Sequence, residues 1–446
     1  MTLRLAIVLA AALAALGVAG TAVAATGRIT DDPLQGQEWW LHDVGADQAT
    51  PPGPGVTLGI VDSGLDVTTP EFAGRPDVTL LNGQTVFGPE EWHGTVVASV
   101  AAAPVNGVGI VGIYPQAALE IWDASPVSNV VTFSAAAGIE TAAQHCPAVI
   151  SLSFGSRDPS PQITQAIIYA QHHGCLVVAS AGNDGQRGSP VSWPAAQAHV
   201  LTVAATDEND TVADFSTAAP TNDLAAPGTD IIGAVPLARD PTGFTTTPVE
   251  GTSFSAPIVA AAAAWVWTDR PTLDWTQLFE LLRTSARDVG PIGYDPETGF
   301  GILDIPAALA APTPPRDPLE PNDDIDQVKP GGLFSEGTAA ITTAAKPSVR
   351  IAGSLDANED PRDLYRIWVP AHQVVRVSVG AGGAAAARIW GPQTVSVGEG
   401  VASRRRDLKG PSMSGGNRGS AAYVEVLPTG KSVRPSYVLT VRASRS

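Results

Sequence analysis

Three short segments carry side chains able to transfer an acyl group. An apolar run ends in Gly59-Ile60-Val61-Asp62-Ser63-Gly64, a carboxylate at a turn. His93-Gly94-Thr95 opens a helix-like stretch at 94–103, and Gly251-Thr252-Ser253-Phe254-Ser255-Ala256-Pro257 opens an apolar one. A serine hydroxyl attacks a carbonyl efficiently when an imidazole takes its proton and a carboxylate orients that imidazole. Asp62, His93 and Ser253 supply one of each. Taken singly, each residue type more often serves as a strand-end cap, a structural hydrogen-bond partner or a helix N-cap. His172-His173, before Gly174, have no partner motif and read as surface residues.

The elements that must position these groups follow from the apolar pattern. Residues 56–61, 149–154, 175–180 and 200–205 are nearly continuous runs rich in Val, Ile and Leu, as in a parallel sheet covered on both faces. Stretches 132–145, 161–173 and 253–268 read as helices between or after them. Repeated strand–helix alternation predicts an α/β fold, a mainly parallel sheet flanked by helices. In such sheets functional groups collect at the carboxyl ends of strands and the starts of the following helices. All three segments lie at such places.

Composition bounds the rest. The 446 residues include 44% apolar and 16% charged, too apolar for a mainly disordered chain. The formal charge of -18 argues against nucleic acid as a partner. Two Cys are too few for a disulfide scaffold or a Cys-based zinc module.

The order Asp…His…Ser, with gaps 62 to 93 and 93 to 253, resembles the subtilisin-like serine protease family. Further matches are the lead-in Asp32-Pro33-Leu34 with Gln37-Glu38-Trp39, then Asn106-Gly107…Gly112-Ile113-Tyr114-Pro115, and Ala226-Pro227-Gly228. The resemblance covers about residues 31–310. It implies a secreted serine endopeptidase acting through an acyl-enzyme, with Asn183 of Ser180-Ala181-Gly182-Asn183-Asp184-Gly185 as oxyanion donor beside the Ser253 amide. It also implies a polypeptide substrate bound as an added strand between Ser151-Leu152-Ser153-Phe154-Gly155 and Ser180-Ala181-Gly182. Ser153, Gly155, Ser180 and Gly182 would line that groove, and Ser192, where many relatives have glycine, would narrow the specificity pocket. Small or medium apolar side chains are the expected preference there. The alternative is a catalytically silent exported peptide-binding or adhesion protein that keeps the fold.

Where the family pattern has a glycine, this chain has Ser99, in a place where helices pack closely. Residues 26–61 are too few for a folded propeptide, so folding without one is expected. No cofactor is expected in catalysis. The family's structural calcium has matching positions in Glu71 and Asn106, with carbonyls of Val108 and Ile110, against a metal-free hydrogen-bonded loop.

Residues 1–25 read as a signal peptide: Arg4, an apolar run at 5–20, then Ala22-Val23-Ala24. No membrane span is expected after its removal, and a monomer is expected. The peptidase domain would occupy 26–312, a Pro/acidic linker and module start 313–328, and a small β-sandwich 329–446. Its strands are expected at 348–353, 364–368, 374–379, 422–427 and 437–441, with an exposed loop at 398–420. Glu320-Pro321-Asn322-Asp323 and Asp363-Leu364-Tyr365-Arg366-Ile367 resemble the bacterial pre-peptidase C-terminal domain. Arg404-Arg405-Arg406 reads as a solvated loop. Charge divides along the same boundary: 26–312 hold 8 basic and 31 acidic residues, 313–446 hold 17 and 13. Cys146 and Cys175 lie near the starts of neighbouring strands, suited to a disulfide, with two buried thiols as the alternative.

Overall fold

A computed structural model describes residues 32–86, 88–125, 131–245, 248–317, 319–322, 340–356, 362–382, 384–392, 401–402, 411–429 and 434–445. The signal-peptide reading, the arginine run 404–406 and residues 318 and 323–328 of the linker lie outside the described residues.

The first part of the chain is a seven-stranded parallel sheet in the order β2-β3-β1-β4-β5-β6-β7. Its strands are β1 (Thr57–Asp62), β2 (Val78–Leu80), β3 (Leu119–Asp123), β4 (Ala148–Leu152), β5 (Leu176–Ser180), β6 (Val200–Thr206) and β7 (Leu224–Pro227). The helices are α1 (Trp39–Asp43), α2 (His93–Ala102), α3 (Thr132–Ala142), α4 (Pro161–His172), α5 (Thr252–Asp269), α6 (Trp275–Thr284) and α7 (Ile305–Ala310). The α/β expectation holds. Strands β2 and β3 lie on one side of β1 and β4 to β7 on the other, so the connections switch sides at β1, where α/β sheets place their sites. Asp62 is the last residue of that strand.

Helix α5 is buried along almost its whole length and packs on β4, β5, β6 and β7. Five successive alanines, 260–264, let helix and sheet approach closely. Helices α3 and α4 pack together on the other face of the sheet around Ile139, Ile163 and Ile167. The expected disulfide is formed: Cys146 and Cys175, ahead of β4 and β5, have Cα atoms 5.2 Å apart and are bonded. In the chain-entropy description a loop of this size contributes about 3–4 kcal/mol.

The C-terminal part is a β-sandwich of two four-stranded antiparallel sheets. One is ordered β13-β10-β15-β8 and the other β12-β11-β14-β9. Strands β8 (Val349–Ser354), β9 (Asp363–Val369), β10 (Gln373–Gly380), β14 (Ser420–Pro428) and β15 (Ser436–Arg445) match the expected ones. Strand β11 (Ala385–Trp390) was not foreseen, and β12 (Val401–Ala402) and β13 (Ser412–Ser414) fall where a loop was expected. Pairing with stronger neighbours holds these Ala- and Ser-rich segments extended, against their weak strand propensity.

The sandwich docks on the amino ends of the parallel strands, away from the ends that carry Asp62 and Asn183. Arg283 of α6, 5% exposed, bridges Asp223 just before β7 at 3.1 Å and Asp356 of the sandwich at 2.7 Å. Arg434 joins Asp356 at 2.8 Å and Glu280 at 3.2 Å, and lies over the Phe300 ring. His199, just before β6, meets Glu320 at 3.1 Å.

Candidate active site

The strand end and the first turns of two helices bring the sequence-selected residues together. His93 Nδ1 lies 2.8 Å from Asp62 Oδ1, which also accepts the Ser63 amide at 2.7 Å. Asp62 is 2% exposed, so its orientation is fixed by buried neighbours. Gly94, second in α2, touches the loop after β1: a Cβ there would stand 2.3 Å from the Gly64 carbonyl oxygen. Its amide donates to the Ser63 hydroxyl at 2.9 Å. Burial lowers the proton affinity of His93, but the charge of Asp62 and its hydrogen bond outweigh this, and the net shift is upward. The departure at Ser99 is absorbed by a hydrogen bond: its hydroxyl accepts the Ala234 amide at 2.9 Å.

Ser253 sits in the first turn of α5, and the ring of its neighbour Phe254 lies 5.5 Å from the His93 ring. The Ser253 hydroxyl donates to the Ser153 carbonyl at 3.3 Å. In return, the Ser153 hydroxyl donates to the Ser253 carbonyl at 2.7 Å. Among the described residues no hydrogen bond joins Ser253 to His93. Such contacts commonly close only when substrate is bound.

Asn183 follows β5, and its side-chain oxygen accepts both the amide of Thr252 at 3.0 Å and its hydroxyl at 2.8 Å. With the oxygen held, the amide NH2 is the end left for a ligand. The same Thr252 hydroxyl accepts the Gly182 amide at 3.1 Å, tying the end of β5 to the start of α5. Thr252 was not singled out from sequence. Its place directly before Ser253 was the available signal.

A cavity of ≈ 310 Å³ lies against Ser253 and Asn183 and is lined by Ser153, Gly155, Ser180, Gly182, Ser192 and Thr217, among others. Ser192 Oγ is 2.4 Å from where a Gly155 Cβ would stand, and 3.4 Å from that of Gly182. Thus Ser192 stands between the two glycines. Phe154, Pro190 and Val191 line this cavity together with the charged Arg157 and Asp184.

The loop 104–110 can be tested for calcium. Glu71, 1% exposed, accepts the Ile110 amide through Oε2 at 3.2 Å, while its buried Oε1 has no hydrogen-bond partner among the described residues. Burial pushes its carboxyl up to about 8; the Ile110 amide opposes this and the Asp32 charge adds to it. Asp32 accepts the amides of Asn106, Gly107 and Val108. Two buried carboxylates from separate segments facing one loop, with an oxygen to spare, are the donor chemistry a hard cation takes. In the sequence Asp32 stands out only as part of the lead-in motif.

A carboxylate, an imidazole and a serine gathered at the carboxyl ends of a parallel sheet define a class, the serine hydrolases of α/β fold. Residues 53–301 match the Subtilase family, and the chain belongs to that family; it is a serine endopeptidase. It is 33% identical over 259 residues to Subtilisin Savinase of Lederbergia lenta, covering 57% of this chain and 91% of that one. Identity to Subtilisin DY of Bacillus licheniformis is 32%, with the same coverage. Among solved structures, the psychrophilic subtilisin-like protease Apa1 from Pseudoalteromonas sp. AS-11 superposes with a TM-score of 0.53 at 19% identity. That superposition spans 61% of this chain and 97% of that one and bears on the fold alone.

Proposed function

We propose that this chain is a secreted endopeptidase that cleaves polypeptides through Asp62, His93 and Ser253. Ser253 attacks the peptide carbonyl while His93 takes its proton, then returns it to the leaving amine. Asp62 holds the imidazole tautomer and stabilises its charged form. The Asn183 NH2 and the Ser253 amide receive the oxyanion, and water, activated by His93, releases the acyl group. The observation that carries this reading is the 2.8 Å Asp62–His93 contact, with the His93 ring 5.5 Å from that of Phe254, the residue after Ser253. The substrate is bound as an extended strand between 153–155 and 180–182, by a monomer. Secretion rests on the signal-like first 25 residues and on the kinship with subtilisins. The sandwich is read as a module of the pre-peptidase C-terminal type. Labelling by a fluorophosphonate, abolished in Ser253→Ala, is the expected result. Well-folded protein that takes no label would return the reading to a silent binding protein.

Calcium is proposed at Glu71 and Asn106, with Asp32 as a further carboxylate. It would fasten loop 104–110 to the lead-in and takes no part in catalysis. Added calcium should raise Tm and a chelator reverse this, with the response lost in Glu71→Gln. A Tm indifferent to both would remove the site.

A further inference from the structure

The charges on the rim of the specificity pocket are unevenly matched. Arg157 lines the cavity, its side chain 64% exposed, and its one ion-pair partner among the described residues is Asp184, at 3.4 Å. Asp184 is already held more closely by Arg187, at 2.9 Å. The three groups therefore sum to one positive charge, and Arg157 is the cation that faces the pocket. Hydrogen bonds from Arg187 and the two guanidinium charges hold the Asp184 carboxyl below its ordinary range, so the trio keeps this balance at neutral pH. A planar guanidinium has five N–H donors, and a single contact at 3.4 Å leaves most of them to a ligand. Deeper in, the Ser192 hydroxyl stands between Gly155 and Gly182 with no hydrogen bond to protein among the described residues. A buried apolar side chain would leave that hydroxyl unanswered, whereas a carboxylate or carboxamide accepts from it.

We propose that Arg157, with the Ser192 hydroxyl, makes this pocket select an acidic side chain, glutamate above its neutral isostere glutamine, on the acyl side of the scissile bond. The inference rests on the peptidase reading and adds its substrate class. It runs against the acidic charge of the surrounding domain, so the effect is local and belongs to the pocket. Basic side chains meet the Arg157 charge first and are disfavoured.

The test is a series of tetrapeptide p-nitroanilides differing only in the residue before the anilide: Glu, Gln, Leu, Phe or Lys. The readout is the kcat/KM ratio of Glu to Gln, which cancels size. One exposed charge contact gives a ratio of about 1.5 to five at low salt, shrinking toward one in about 0.5 M salt. Arg157→Lys should keep most of the ratio, Arg157→Ala should bring it near one, and Arg157→Glu should invert it and favour Lys. A ratio at or below one in the parent enzyme, or one unmoved by Arg157→Ala, overturns the inference while cleavage of the Leu or Gln substrate upholds the peptidase reading. Failure to cleave any of the five, together with no fluorophosphonate labelling, overturns both.

Discussion

The Ser153 hydroxyl donates at 2.7 Å to the Ser253 carbonyl, the acceptor that a proline deprives of its helical partner. In a regular helix that carbonyl would accept the amide of residue 257, but Pro257 has none. The groove strand thus completes the first turn of α5 and fixes the helix that presents the nucleophile. Ser153→Ala should leave this carbonyl unsatisfied and cost about 1–3 kcal/mol. Calorimetry should show a lower Tm and steady-state kinetics a lower kcat. An unchanged Tm would mean that water replaces the hydroxyl without loss.

Thr252 is expected to act on the oxyanion site through Asn183. Asn183→Ala removes the donor itself and should lower kcat by about 10²–10³, a magnitude drawn from subtilisin. Thr252→Val keeps the amide contact to Asn183 but loses the hydroxyl one, so a smaller fall, about 10-fold, is expected. In both, KM should change little, because the donor acts chiefly on charge formed in the transition state. A rise in KM at constant kcat would assign Thr252 to substrate binding instead.

The pH profile follows from the Asp62–His93 pair. His93 must be neutral to accept the serine proton, and its pKa is raised above the ordinary 6.5. Activity should therefore fall as pH drops through a value above 6.5. Asp62→Asn removes both influences that raise the pKa and leaves burial, which lowers it. The acid limb should move to lower pH while kcat falls by about 10⁴. A limb that stays in place would show that another group controls it.

Arg283 should clamp the sandwich to the peptidase part. It lies between the Phe279 and Phe300 rings, 4.9 and 4.7 Å from their centroids, and bonds carboxylates on both sides. Arg283→Ala breaks a buried pair, a change worth about 3–5 kcal/mol. The full-length variant should melt several degrees lower and release the sandwich faster in limited proteolysis. Parent-like melting and proteolysis would show that the sandwich is held by its other contacts alone.

The chemistry and most of the scaffold are legible in the order of residues alone. Strands β1, β4, β5 and β6 can be read off because a sheet covered on both faces demands unbroken apolar runs. The triad segments can be read off because each follows or opens such an element. Strands β2, β3 and β7 escaped: β2 has three residues, and β3 carries Glu120 among its apolar positions. Helix α6 escaped although it opens with a capping box at Asp274 and Gln277.

How distant residues complete one another emerges only on folding. Thr252 looks like any helix-start threonine until Asn183, 69 residues away in sequence, turns its oxygen toward it. Asp32 is only part of a lead-in motif until loop 106–108 delivers three amides to it. Nothing in the sequence marks Arg157 until folding sets it on the pocket wall beside a carboxylate already engaged by Arg187. Local patterns encode periodicity and turns, which act over a few residues. Hydrogen-bond satisfaction and charge balance depend on which distant segments the sheet order makes neighbours, and no local pattern carries that.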